Sequence, residues 1–162
     1  MKLTFKILSI FLVLSSVACG EKEEKEQVTL TDTETVQEAK TTMAEVDNME
    51  NKGVGPVKSV EIGEDIDAAM ATQGAELFKN MCSACHKLDK KFIGPKLAGV
   101  TERRTPEWIM NMILNPENMI KEDPIAKKLL VESNMAVMAN QGLTEDEARA
   151  ILEYFRQFDK EN

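Results

Sequence analysis

Cys82-Ser83-Ala84-Cys85-His86 is the stretch that decides how this chain is read. Two thiols three residues apart, with an imidazole beside the second, form the attachment signature of a c-type haem. On one helical turn each thiol can add to a vinyl group of the same porphyrin. The imidazole then sits under the iron as its proximal ligand. Two rival readings are poorer. A structural zinc site needs about four Cys, His or carboxylate ligands, and the chain has one histidine and three cysteines. A thioredoxin-like Cys-x-x-Cys belongs in a βαβ context, and no alternating strand pattern flanks Cys82. The motif therefore implies one covalently attached haem c, bonded to Cys82 and Cys85, with His86 on the iron.

Upstream, the 162-residue chain opens Met1-Lys2-Leu3-Thr4-Phe5-Lys6, runs almost uninterruptedly apolar from Ile7 to Val17, and continues Ala18-Cys19-Gly20. A basic start, a short apolar core and small residues before a cysteine make a secretory signal. The apolar run is shorter than the ~20 residues of a spanning helix. The Ala18-Cys19 junction resembles a bacterial lipoprotein cleavage site, in which Cys19 becomes the acylated first residue. One departure is Ser16, where that family usually has leucine. Ordinary cleavage near Ala18 and an uncleaved anchor are the alternatives. On the lipoprotein reading, 1–18 is the signal peptide and Cys19 carries lipid, so no cysteine is left for a disulfide. Haem attachment takes place outside the cytoplasm, so signal and motif support each other. The expected location is a bacterial membrane, with the folded part in the periplasm or on the cell surface.

Residues 19–63 are expected to be an acylated N-terminus and a flexible acidic tether. The run Glu21-Lys22-Glu23-Glu24-Lys25-Glu26 and the Thr- and Gln-rich stretch after it show no sustained helical stripe and no aromatics. Gly53-Val54-Gly55-Pro56 through Gly63 reads as a turn-rich approach, loosely packed, with order starting near Glu64. The formal charge is −8, with a balance of −6 over 19–63 and −4 over 64–162. Such an acidic chain is no nucleic-acid binder.

Residues 64–162 carry the foldable domain, and every element in it reads as helix. Ile66, Met70, Leu77 and Met81 lie at helical spacing, with Gly74 and Phe78 sharing the face. Glycine inside a helix costs about 1 kcal/mol against alanine, so Gly74 suggests a close helix crossing. Thr105-Pro106-Glu107 is a helix start, with cap, first-turn proline and acid at the positive dipole end. That helix carries Trp108, Ile109, Met112 and Ile113 and stops before Pro116. Asp123-Pro124 repeats the start signal for a helix through Val131, and 134–142 reads as a loop holding Met135 and Met138. Thr144-Glu145-Asp146-Glu147 is a capping box that opens a last helix burying Ala148, Ile151, Leu152 and Phe155.

A helix ending in Cys-x-x-Cys-His, Gly94-Pro95 soon after, a methionine loop and a capped last helix with Glu153-Tyr154-Phe155 together resemble class I cytochromes c. The resemblance covers roughly residues 64–160. It implies an all-α fold of three to five helices wrapped around one haem. It places the Pro95 carbonyl on the far nitrogen of His86, Met138 as the distal iron ligand, and Gly74, Phe78 and Tyr154 at the crossing of first and last helices. Trp108 would pack along the haem or donate to a propionate. Met138 lies five residues before Leu143, the spacing of small bacterial members; Met135 is the alternative ligand. The family usually has proline after that methionine, and Ala139 stands here.

A His/Met haem leaves no open position for substrate, and the chain offers no second histidine and no Ser/His/Asp set. The implied function is single-electron transfer between respiratory redox partners, without enzymatic activity of its own. Lys87, Lys90, Lys91, Lys96, Arg103 and Arg104 would form a basic docking rim; scattered solubilising lysines are the bland alternative. Residues 99–116 and 147–155 are similar to cytochromes encoded near nitrous oxide reductase in Bacteroidetes-type bacteria, which implies that copper enzyme as an acceptor. The rival class is a haem-based gas or redox sensor with a displaceable sixth ligand.

Overall fold

The computed structural model describes residues 49–162. The chain divides into one unit of residues 1–32 and another of 33–162, and every described residue lies in the second. The signal peptide, Cys19 and the tether up to residue 48 fall outside the described part.

Six helices and no strand make up the described residues. They are α1 (Ala68–Leu77), α2 (Val100–Arg103), α3 (Pro106–Leu114), α4 (Pro116–Glu122), α5 (Pro124–Glu132) and α6 (Glu145–Glu161). The all-α expectation holds, with more helices than the three to five anticipated. Pro116 does end α3, but it also opens α4 as that helix's first residue. The caps sit where the side chains announce them. Asp67 accepts from Met70 N, Thr105 from Trp108 N and Asp123 from Ala126 N. Thr144 and Glu147 close a full capping box.

The fold is organised on the crossing of α1 with α6. A Cβ on Gly74 would stand 2.5 Å from the carbonyl carbon of Ala150 and 2.9 Å from Ile151 N, so only glycine lets the two backbones approach this closely. One turn on, Phe78 meets Tyr154 at 5.6 Å and the edge of Phe155 at 5.8 Å between ring centroids. On the same helix pair Glu153, fully buried, accepts from Arg149 at 2.5 Å, from Arg156 at 2.8 Å and from the Asp67 backbone N–H at 3.0 Å. Arg156 also donates to the Gly63 carbonyl. Burial works to raise the Glu153 pKa, but Arg149, the Asp67 N–H and Arg156 outweigh it and hold the carboxyl below its usual range.

Two sequence expectations need correction. Helix α1 does not continue in α register to Met81: residues Phe78–Cys82 form a π-turn, with Ser83 N bonded to Phe78 O. The wider turn shifts the stripe after Phe78, leaving Met81 42% exposed instead of on the buried face. Order also begins well before Glu64. Residues 49–63 lie as a strap on α3 and α4, with Val57 buried among core side chains. Asn111 accepts from Val57 N at 3.0 Å and donates to the carbonyls of Lys52 and Val57. Asn115 donates to Val54 O, Asn51 to Asp123 and Thr105 to Asn51 O, while Lys52 pairs with Glu107 at 3.0 Å. A Cβ on Gly53 would meet the Met119 sulfur at 2.7 Å. These glycines are contact points rather than slack.

Candidate haem site

The π-turn delivers Cys82 to a tight bend in which Cys85 N and His86 N both bond to Cys82 O. Backbone bonds then fold the next segment back under the motif. Gly94 N donates to Cys85 O at 2.9 Å, Leu97 N to Lys87 O at 3.2 Å and Ala98 N to Leu88 O at 2.8 Å. This brings Gly94 against the imidazole so closely that a Cβ there would lie 2.7 Å from Nδ1 and 3.0 Å from Nε2 of His86. The next residue supplies the acceptor: His86 Nδ1 lies 3.5 Å from the Pro95 carbonyl, at the long edge of a hydrogen bond. With the proton on Nδ1, Nε2 keeps its lone pair, and that is the nitrogen left to hold a metal. Burial lowers the His86 pKa more than the Pro95 carbonyl raises it, so the ring stays neutral and ready to ligate.

The cysteines are both free thiols, Cys82 half-buried and Cys85 exposed. Burial, reinforced by Cys85, pushes the Cys82 thiol up to about 11. Thiol–disulfide oxidoreductases work with a cysteine lowered well below 8.5. Cys82 is shifted the opposite way.

A haem needs apolar cover, and the described surface is apolar near both ligand segments in sequence. Of seven large apolar side chains left exposed, six fall in residues 81–93 or 131–137: Met81, Phe92, Ile93, Val131, Met135 and Val137. Soluble folds seldom leave such side chains together uncovered unless something binds there. The donor set, the cradle under His86 and this apolar cover all fit one haem c. Among the described residues no cluster of His, Cys, Asp and Glu offers a separate metal site.

The distal candidates sit in the loop between α5 and α6. Met138 is half-buried, whereas Met135 is 62% exposed on a backbone with φ of 62°. Trp108 is placed differently from expectation. Its indole N–H donates to Asp123 Oδ1 at 3.2 Å, and Arg104 lies over its ring at 5.4 Å. The one donor Trp108 has is therefore engaged inside the protein, and the propionate role is set aside. Of the basic rim, Lys87 donates to Ser83 O, Lys91 to Glu132 O and Arg103 to Ala98 O, while Lys90 and Lys96 are exposed.

With the site in place, a sequence profile described as Cytochrome c matches residues 71–159. The chain belongs to the cytochrome c family. Among solved structures it is similar to cytochrome c from Rhodothermus marinus, at 52% identity and a TM-score of 0.65, covering 67% of this chain and 92% of that one. An engineered form of that cytochrome matches at 52% identity and a TM-score of 0.63, over 65% of this chain and 91% of that one. A second engineered structure, bound to a carbene intermediate, matches at 53% and 0.61 over the same shares. Comparison with curated protein sequences gives no match. The family assignment makes this cytochrome a class I, monohaem, haem-c electron-transfer protein.

Asn111, Asn115 and Asn140 were missed by sequence reasoning. Asn111 is an amide within α3, Asn115 caps its end and Asn140 lies in the methionine loop; the only available signal was a polar amide in the last, otherwise apolar turns of α3.

Proposed function

We propose that this cytochrome is a lipid-anchored electron carrier, held to a bacterial membrane through Cys19, with residues 64–162 and the docked strap forming the haem domain in the periplasm. The observation that carries the haem half of this reading is the Gly94-Pro95 seat under His86, which presents a neutral imidazole with its outer nitrogen free. When bound, the haem iron supplies one-electron redox chemistry. The chain's own residues do the rest. Cys82 and Cys85 would hold the porphyrin, His86 and Met138 would ligate its iron, and Pro95 would keep the imidazole in one tautomer. The exposed apolar side chains of residues 81–93 and 131–137 would lie against the group and keep water from it. With both iron ligands supplied by the chain, the group would serve electron transfer in preference to substrate chemistry.

Exposed Lys90 and Lys96, with Lys87, Lys91, Arg103 and Arg104, form the rim through which an acidic partner docks. Nitrous oxide reductase is the proposed acceptor, supported by the similarity of residues 99–116 and 147–155 to cytochromes encoded beside it. Among the described residues no helix is long and apolar enough to cross a membrane.

Visible spectra of the purified holoprotein, oxidised and reduced, test the ligand set. Met138→Ala should lose the weak far-red sulfur-to-iron band and bind carbon monoxide readily when reduced. Met135→Ala should keep the band. A wild type lacking that band, or binding carbon monoxide as readily as Met138→Ala, would favour the sensor. Mass spectrometry of the mature N-terminus tests the anchor: a diacylated Cys19 supports it, and a free Cys19 or cleavage elsewhere removes it.

A further inference from the structure

Residues 137–143 carry the proposed distal ligand; Leu143 packs on the core at the end of the stretch, and few hydrogen bonds hold the part before it. The turn that leaves α5 closes with Asn134 N on Val131 O, Met135 N on Leu130 O and Ala136 N on Ser133 O. Asn134 and Met135 both sit in the left-handed region, at φ of 54° and 62°. Beyond Ala136 the bonds are of another kind. Gln141 Nε2 donates to Ala139 O and Gly142 N donates to Asn140 Oδ1, both inside the loop. Among the described residues, the hydrogen bond that ties 137–143 to the body of the fold is Asn140 Nδ2 to Leu114 O, at 3.0 Å.

Leu114 is the last residue of α3. Its carbonyl belongs to the set that a helix end leaves without an intrahelical partner. The chain turns at Asn115 (φ −139°, ψ 49°) and Pro116 contributes no N–H, so a side chain from elsewhere is free to take that acceptor. The end of α3 is itself fixed, because Asn111 and Asn115 bind the strap at Val57, Lys52 and Val54. Asn140 therefore joins the methionine loop to one of the most firmly fixed points of the fold. It does so with both ends of one amide: the oxygen shapes the turn at Gly142, and the nitrogen moors that turn to α3.

We infer that Asn140 is a positioning residue for the distal ligand: its bond to Leu114 holds the loop so that Met138 stays on the iron. The inference rests on reading Met138 as that ligand. Asn140 touches no haem atom in this account; it acts through the backbone two residues from the sulfur. The usual proline after the ligand methionine would stiffen the loop by fixing φ. Here Ala139 stands in that place, and Asn140 does the stiffening by bonding to Leu114, outside the loop.

The test is the rate of carbon monoxide binding to the reduced holoprotein, which depends on how often Met138 leaves the iron. Asn140→Asp keeps the acceptor for Gly142 N but has no N–H for Leu114; Asn140→Ala loses both. A hydrogen bond of ordinary net strength is worth about a fivefold change in an equilibrium, so both variants should bind carbon monoxide about fivefold faster than wild type. Gly142 amide exchange should accelerate in Asn140→Ala only. The far-UV unfolding midpoint of the holoprotein should stay at that of Gln141→Ala, which removes a bond local to the loop. Wild-type rates in both Asn140 variants overturn the inference. A faster rate in Asn140→Ala alone also overturns it, because the turn and not the mooring would be responsible. So does a midpoint that falls in step with the rate, the mark of a merely structural residue. If Met138→Ala itself binds carbon monoxide no faster than wild type, the ligand reading fails. Fast binding in Met138→Ala beside wild-type rates in the Asn140 variants fails the positioning role alone.

Discussion

The two sides of the haem site are built on opposite plans. On the proximal side, residues 82–98 are held by a run of backbone hydrogen bonds, by a glycine pressed on the imidazole, and by the α1/α6 crossing immediately before them. On the proposed distal side, residues 137–143 are tied to the described fold by one side-chain amide and by Leu143 packed on the core. The difference teaches where disorder is tolerable. A histidine that moved would upset the seat of the whole cofactor. With Met138 as the proposed distal ligand, its movement would open one coordination position and could be reversed. On that reading the rigid side sets the cofactor's place, and the lightly held side sets its reactivity.

Breaking the rigid side should have the larger cost. Gly74→Ala puts a methyl into the Ala150 backbone, which has no flexible end to yield. Overpacking of this kind costs about 3 kcal/mol, read as a lower denaturant midpoint with an unchanged spectrum in the molecules that remain folded. Retention of wild-type stability would show that α1 and α6 slide freely, and the contrast with the loop would lose its basis.

Glu153→Gln attacks the same crossing through its charge, and pH gives it a signature. Removing the carboxylate leaves Arg149 and Arg156 around a neutral buried amide, at about 3 kcal/mol near pH 7. The folded pKa of Glu153 lies below its ordinary value of about 4.3. Its contribution is therefore complete above that ordinary value and is lost as pH falls through the lower folded one. The gap between wild type and Glu153→Gln should be full at pH 7 and shrink below about pH 4. Denaturant titrations at both pH values read this directly, and a gap constant with pH would remove the ionised carboxylate from the account.

The smallest of the three changes sharpens the comparison at the haem itself. Gly94→Ala drives a methyl toward His86, whose ring is a side chain and has some room to yield. The cost should be about 2 kcal/mol, with His86 pushed off the Pro95 carbonyl. The spectral consequence should exceed the stability consequence, because a less basic imidazole changes the iron it ligates. Redox titration beside denaturation separates the two; an unshifted potential would mean that the Gly94 contact serves packing alone.

Much of this was legible in residues that act locally. Thr105-Pro106, Asp123-Pro124 and Thr144 with Glu147 announce helix starts because a cap bonds within three residues of itself. Gly74 announces a crossing because a helix rarely spends a glycine otherwise. The haem-binding segment is contiguous, so Cys82, Cys85 and His86 needed no tertiary information. What stayed hidden depends on distant partners. Residues 49–63 look like slack because glycine, proline and lysine say nothing of Asn111, 54 residues further along the chain from Val57. Trp108 looked available because Asp123 read only as the cap of α5, whereas it also takes the indole N–H and the amide of Asn51. The π-turn at Phe78–Cys82 was invisible because the period of the apolar residues stays that of an α-helix.

The strap has a mechanical meaning under the proposed N-terminal anchor. A pull arriving from residues before 49 would be taken up in part by Asn51 and Lys52, whose bonds to Thr105, Asp123 and Glu107 join them to α3 and to the start of α5. The strap then runs on through Val54 and Val57 to further amide bonds before the chain reaches α1. It works as the cord grip on an electrical plug does: tension stops at the housing and the contacts are spared. If the proposed anchor at Cys19 holds, a pull from that side would be taken up on α3 and α5 before it reached α1 and the haem-binding segment.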